Sequence, residues 1–153
     1  MAQAYCAQSG ISDFVATSAG SRAVIAHPIH PDAERVLEGL GGDASNFAAR
    51  QLTPKIASTA DLILTMTGAH RDRVLELAPH RLKRTFSLPE AARLVEDLGA
   101  KNLVDLANLR PQLILSDIPD IPDPIGQSRE VFTAVGGQIA ALLPPVLELC
   151  RPR

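Results

Sequence analysis

Aromatic side chains are scarce in this chain of 153 residues. It has no tryptophan, one tyrosine, and aromatics make up 3% of the whole. A pocket that grips a phenyl ring by stacking has little to work with. Cysteine is scarce too: Cys6 and Cys150 lie near opposite ends. With no secretory context they read as two buried thiols rather than a disulfide. No CxxC or HxxxH spacing supports a metal site. His27, His30, His70 and His80 fall in loops or on helix surfaces, and the pair His27 and His30 flanks prolines, the pattern of a solvated loop. Neither sign of charge dominates, with 15 Lys and Arg against 17 Asp and Glu for a net charge of -2. That balance argues against a nucleic-acid surface and against a charged tail. No apolar run reads as long enough to span a bilayer, and the N-terminus does not read as a signal peptide, so the expected location is cytoplasmic with no membrane partner.

What is present is ordinary for a soluble globular protein: 46% hydrophobic and 21% charged residues, in a length that suggests a single domain over 1–153. Helical and strand patterns alternate. Residues 1–8 read as a short helix and 14–18 as a strand ended by Ala19-Gly20. Pro31 opens a helix to Leu40, closed by Gly41-Gly42. Thr53-Pro54 is an N-cap followed by a first-turn proline. Residues 61–66 form the clearest strand, almost continuously apolar as expected when both faces are buried. Thr67 is placed to cap the next helix, 85–88 is a short strand, and Pro89 opens a helix through Leu98. Residues 101–115 read as a helix interrupted by Pro111. A last helix runs from Ser128 to about Leu143, where Pro144-Pro145 should kink or end it. Alternation of this kind predicts an α/β fold with a parallel sheet. The good strands number few for such a fold, and none precedes the first helix.

One segment points to chemistry. In Asp120-Ile121-Pro122-Asp123-Pro124-Ile125-Gly126 the carboxylate of Asp123 sits between two prolines. Pro122 has a fixed φ, and Pro124 pushes Asp123 into an extended conformation. A carboxylate on so stiff a loop, just before a helix, suits a general acid, provided a nucleophile and an anion cradle face it. Taken alone, an Asp-Pro pair is more often a turn or a helix entry.

Several landmarks then occur in order: Thr17-Ser18-Ala19-Gly20-Ser21, His27-Pro28-Ile29-His30-Pro31-Asp32-Ala33, Ala49-Arg50-Gln51-Leu52-Thr53-Pro54, Ala60-Asp61-Leu62-Ile63-Leu64-Thr65-Met66-Thr67, Arg84-Thr85-Phe86-Ser87-Leu88-Pro89-Glu90 and the Asp123 segment. Each is weak alone. Together they cover nearly the whole chain, and the chain resembles the low-molecular-weight protein tyrosine phosphatases. The resemblance implies a three-layer α/β fold, a parallel sheet with helices on both faces, here missing its first strand. It implies that Asp123 matches the aspartate that protonates the leaving group. It implies that Ser18 matches a serine supporting the phosphate loop, although a strand-end hydroxyl is an equally simple reading. No metal or organic cofactor is implied, because the family's chemistry uses a cysteine thiolate and an arginine in a Cys-x5-Arg loop.

The sequence departs from the family pattern at that loop. Six residues after Cys6 stands Ser12, and only three residues follow Cys150. Phe47 occupies the position where the family commonly has a loop-supporting histidine, and an apolar ring cannot orient a polar loop. Ile125 stands where an aromatic commonly follows Asp-Pro, and residues 21–26 hold no aromatic. The expectation is therefore a phosphatase-like protein that is non-catalytic as written, meeting a phosphoprotein or other anion. The alternative is an N-terminally truncated form of an active cysteine-dependent phosphatase. Arsenate reduction occurs on the same fold but needs the same nucleophilic loop and usually more cysteines. In the family's sheet the first strand lies between the second and third, so unpaired edges at residues 14–18 and 61–66 are expected to invite self-association.

Overall fold

The two short strands of the computed structural model, β1 (Ile63–Thr65) and β2 (Thr85–Ser87), run parallel in the register Ile63 to Thr85, Leu64 to Phe86 and Thr65 to Ser87. The structure describes residues 1–23 and 25–152. Between the strands run α4 (Gly68–Leu77) and a 3-10 turn over Pro79–Arg84. Side chains along a strand point alternately to opposite faces, and β1 shows both destinations. Leu62, Leu64 and Met66 pack against the main core, built with Phe86, Leu88, Leu94, Leu106, Ile121 and the apolar face of the last helix. Ile63 points the other way, onto Ala57, Val74 and Ala78. The first face is covered by α1 (Ala2–Ala7), α5 (Leu88–Glu96), α6 (Leu103–Leu109) and α7 (Arg129–Glu148). The second is covered by α3 (Pro54–Thr59) and α4. The expected layering, helices on both faces of a parallel sheet, is therefore present.

Local chemistry sets most boundaries. Thr53 Oγ1 accepts from the Ile56 amide at 3.2 Å and starts α3, with Pro54 at the first position. Thr67 Oγ1 accepts from the His70 amide at 3.0 Å and starts α4. Ser87 and Glu90 close a reciprocal capping box on α5. His30 caps α2 (Pro31–Gly39) through its Nδ1 and stacks on Phe132 with centroids 4.9 Å apart, a structural use of a loop histidine.

Several expectations are not met. Residues 14–18 do not form a strand. They are extended, with Phe14, Ala16 and Ser18 half-buried and Val15 84% exposed, so the period-2 pattern is there without a ladder. Among the described residues, no backbone–backbone hydrogen bond reaches this segment, because no neighbouring strand lies alongside it. Residues 61–66 likewise form only the three-residue β1, and Leu62, Ile63, Leu64 and Met66 are half-buried rather than buried on both faces. At Pro144-Pro145 helix α7 does not end; it continues to Glu148. Two backbone donors are lost there, but Leu143, Val146 and Leu147 are buried in the main core and offset that cost. Helix α7 also holds an 18-residue stretch with a mean hydropathy of 1.4, which makes it long and apolar enough to cross a membrane by length and composition, contrary to the expectation from the sequence. In this fold it serves as a core helix, packed on α1, α2 and α5.

One close approach fixes how α7 crosses α2. A Cβ on Gly136 would overlap Val36 Cγ1, so only glycine lets the two helices meet at this distance.

Candidate functional site around the Asp-Pro loop

Asp123 lies on an exposed loop that leaves a short 3-10 turn at Leu115–Asp117 and ends at Ser128, the N-cap of α7. The loop is tied to the sheet at one place. The Ile121 amide donates to Met66 O at 2.9 Å, just past the end of β1, and the Ile121 side chain is buried in the main core. Beside it, Asp120 Oδ1 accepts from the Gly68 amide at 2.8 Å, the first residue of α4. A carboxylate at a helix N-terminus is well matched to the unpaired amides and the positive end of the helix dipole. After Pro122, Asp123 Oδ1 accepts from the Ile125 amide at 2.9 Å, which folds the loop back on itself. The Gln127 amide then donates to Pro124 O at 2.9 Å, with Gly126 at φ +77°, the positive φ that a type II turn demands of its third residue.

Behind this loop a cleft of about 90 Å³ opens between Gly68, Arg71, Ser87, Glu90, Leu115, Ile118 and Asp120. Its floor is a buried carboxylate. Glu90 has no exposed surface, yet it is fully engaged. Its Oε1 lies 2.6 Å from Arg110 Nε, its Oε2 lies 3.5 Å from Arg71 Nη1, and Oε2 also accepts from the Ser87 amide at 3.1 Å. Arg110 in turn donates to Leu82 O at 2.9 Å and to Thr85 O, and its guanidinium lies 4.0 Å from the centre of the Phe86 ring. From the sequence Pro89 was legible as a helix opener, but neither the capping box nor the arginine that comes from the end of α6 to meet Glu90 was.

Ser18 is half-buried on the extended segment, where its hydroxyl donates to Gln3 Oε1 on α1. Its carbonyl accepts from Arg50 Nε at 3.1 Å. The neighbouring Gln51 ties the following loop, accepting from the Ala23 amide at 3.0 Å and donating to Ser21 O at 2.9 Å. The Arg50-Gln51 landmark is thus a clamp on residues 18–23; Val24, in the stretch expected to lack an aromatic, lies outside the described residues. Phe47 is half-buried, and Ile125 is 57% exposed beside Asp123. Among the described residues, no hydrogen bond joins Asp123 to Ser18.

The cysteines stand apart from this loop. Cys6 is buried in α1 within the main core, and burial, foremost, pushes its thiol up to about 11. Cys150 follows the end of α7 and is half-buried rather than buried as expected, though desolvation still raises its thiol. A buried thiol held in its neutral form is a poor nucleophile.

The fold and the loop together define a class: a parallel α/β domain whose strand ends carry an Asp-Pro loop. The family model for low molecular weight phosphotyrosine protein phosphatase matches residues 1–98. The chain belongs to that family. A probable low molecular weight protein-tyrosine-phosphatase EpsP of Ralstonia nicotianae is 39% identical over 92 residues, 59% of this chain and 61% of the relative. The matched region thus spans about three fifths of that relative. Among solved structures, the YwlE arginine phosphatase from Geobacillus stearothermophilus superposes with a TM-score of 0.75 at 24% identity, covering 96% of this chain and 80% of the other. The Erwinia amylovora tyrosine phosphatase amsI gives 0.74 at 20% identity, covering 99% and 83%. At these identities the structural likeness concerns the fold.

Proposed function

We propose that these 153 residues carry the acid side of a phosphate-monoester site and no nucleophile for it. The observation that carries this reading is the placement of the cysteines. Cys6 is locked in the core as a neutral thiol and has Ser12 where an arginine would be needed, and Cys150 lies beyond the end of α7. In this reading Asp123 descends from the proton donor to a leaving group, and Ser18 from a support of the phosphate loop. A general acid without attack and charge stabilisation lowers a barrier very little. The chain then acts by meeting a phosphoprotein or another anion rather than by hydrolysing it. The purified chain is expected to release no measurable nitrophenol from p-nitrophenyl phosphate. Turnover at an ordinary phosphatase rate, abolished by Asp123→Asn, would refute this.

One observation favours a second reading, in which the chain is part of an active cysteine-dependent phosphatase. Residues 14–18 are extended, inward-facing at Phe14 and Ala16, and unpaired among the described residues. That is how a sheet segment looks beside an unfilled strand position. In-frame codons upstream of Met1 for a strand and a Cys-x5-Arg loop would decide for it. The same unpaired segment and β1 supply the edges for self-association of the chain. A sedimentation profile showing only monomer at tens of micromolar would count against that association.

A further inference from the structure

Among the described residues, the side chain of Asp123 has one hydrogen bond, from the Ile125 amide two residues on. What fixes the loop in space is Asp120. Its carboxylate holds the Gly68 amide at 2.8 Å, while the next residue donates its amide to Met66 O at 2.9 Å and buries its side chain. The two bonds straddle the junction where β1 turns into α4, so they grip the sheet end and the helix start together. From this clasp to Asp123 there is one intervening residue, Pro122. Its φ is fixed, and the residue before each proline is held to extended backbone, so few rotations remain between Ile121 and Pro124. An orientation imposed at residues 120 and 121 is therefore passed on to the carboxylate at 123.

We infer that Asp120 is the positioning residue of the Asp-Pro loop, acting on Asp123 through its hold on the first amide of α4. Its relevance to catalysis rests on the reading of Asp123 as a phosphatase acid, but its test is read in loop order and needs no turnover. A failure here is thus distinguishable from a failure of that reading.

Amide hydrogen exchange, resolved by residue on the full chain, tests the inference with Asp120→Ala and Asp120→Asn. Alanine removes the acceptor, and asparagine keeps a side-chain oxygen within reach of Gly68 while removing the charge. Exchange in the alanine variant should rise at least about tenfold at Gly68 and Ile121, the factor expected when a hydrogen bond to a charged acceptor is lost. It should rise as well at Ile125 and Gln127, which lie beyond the clasp. The asparagine variant should return most of the protection at all four. Unchanged exchange at Phe86 and Leu88, in the core, shows that the effect is confined to the loop. Parent-like rates at Ile121 and Ile125 in the alanine variant would overturn the inference. So would an asparagine variant no better protected than alanine.

Discussion

Replacing Arg110 by methionine should be among the costliest single changes available in this protein. The side chain has three separate attachments: the Glu90 carboxylate at 2.6 Å, the Leu82 carbonyl at 2.9 Å and the Thr85 carbonyl, all while lying over Phe86. Removing one member of a buried ion pair typically costs about 3–5 kcal/mol, because the other charge is left in the interior. Arg71 remains 3.5 Å from Glu90, so the lower end, about 3 kcal/mol, applies to the charge alone. Thr85 has no exposed surface, so water cannot readily replace the donor to its carbonyl, which adds about 1 kcal/mol. A loss of about 4 kcal/mol is a large share of the ~5–15 kcal/mol that a domain of this size possesses. With a urea slope of about 2 kcal/mol per molar, the unfolding midpoint should fall by about 2 M. The chain has no tryptophan, so the transition is best followed by far-ultraviolet circular dichroism. The double variant Arg110→Met with Glu90→Gln should recover at least about half of the loss, since the stranded charge is gone and the glutamine oxygen can still accept from Ser87. A single variant that loses less than about 1 kcal/mol, or a double variant as weak as the sum of its parts, would refute the reasoning.

Cys6 should resist thiol reagents. At pH 8 a thiol pushed up to about 11 is ionised about 100-fold less than an ordinary one at 9.0, and Cys6 is buried where Cys150 is half-buried, so labelling of the native chain by a disulfide reagent should be dominated by Cys150. Because the unfolded thiol ionises first, Cys6 contributes stability that is complete below pH about 9 and is lost as pH rises through about 11; Cys6→Ala should flatten that stretch of the stability profile. Thr67→Ala removes the cap of α4 and should cost about 1 kcal/mol in urea unfolding. Gly136→Ala should lower the melting temperature, because overpacking costs about 1–3 kcal/mol and the gain in helix propensity is only about 1, and adding Val36→Ala should restore it.

What the sequence disclosed and what it hid divide along the range of the interactions. Thr53, Thr67 and the start of α5 were legible because a cap is decided within four residues. Asp123 was legible as a stiff loop carboxylate because two flanking prolines constrain it directly. The run of α7 past Pro144 and Pro145 was not, since its cause is burial of Val146 and Leu147 against distant elements. Residues 14–18 carried the right alternation for a strand, but a strand exists only where a neighbour accepts its hydrogen bonds. The Asp120 clasp reaches across 52 positions to Gly68, and nothing in the local pattern of either residue announces it. The family resemblance supplied the layering correctly but could not say which carboxylate holds the loop.

The packing of α1 on α7 has a consequence for how the chain comes to be folded. β1, α4 and β2 are contiguous, and their pairing closes over the short stretch 63–87. The six-residue α1 is different, because so short a helix has no persistence in water without a partner. Its partner is the last helix, whose Gly136 lies against Met1. During synthesis α1 therefore waits, unstructured, until the distant α7 has emerged. Helix α1 can dock only once α7 is in place, and any factor that captures it before then finds it as an open apolar ribbon carrying Tyr5 and Cys6.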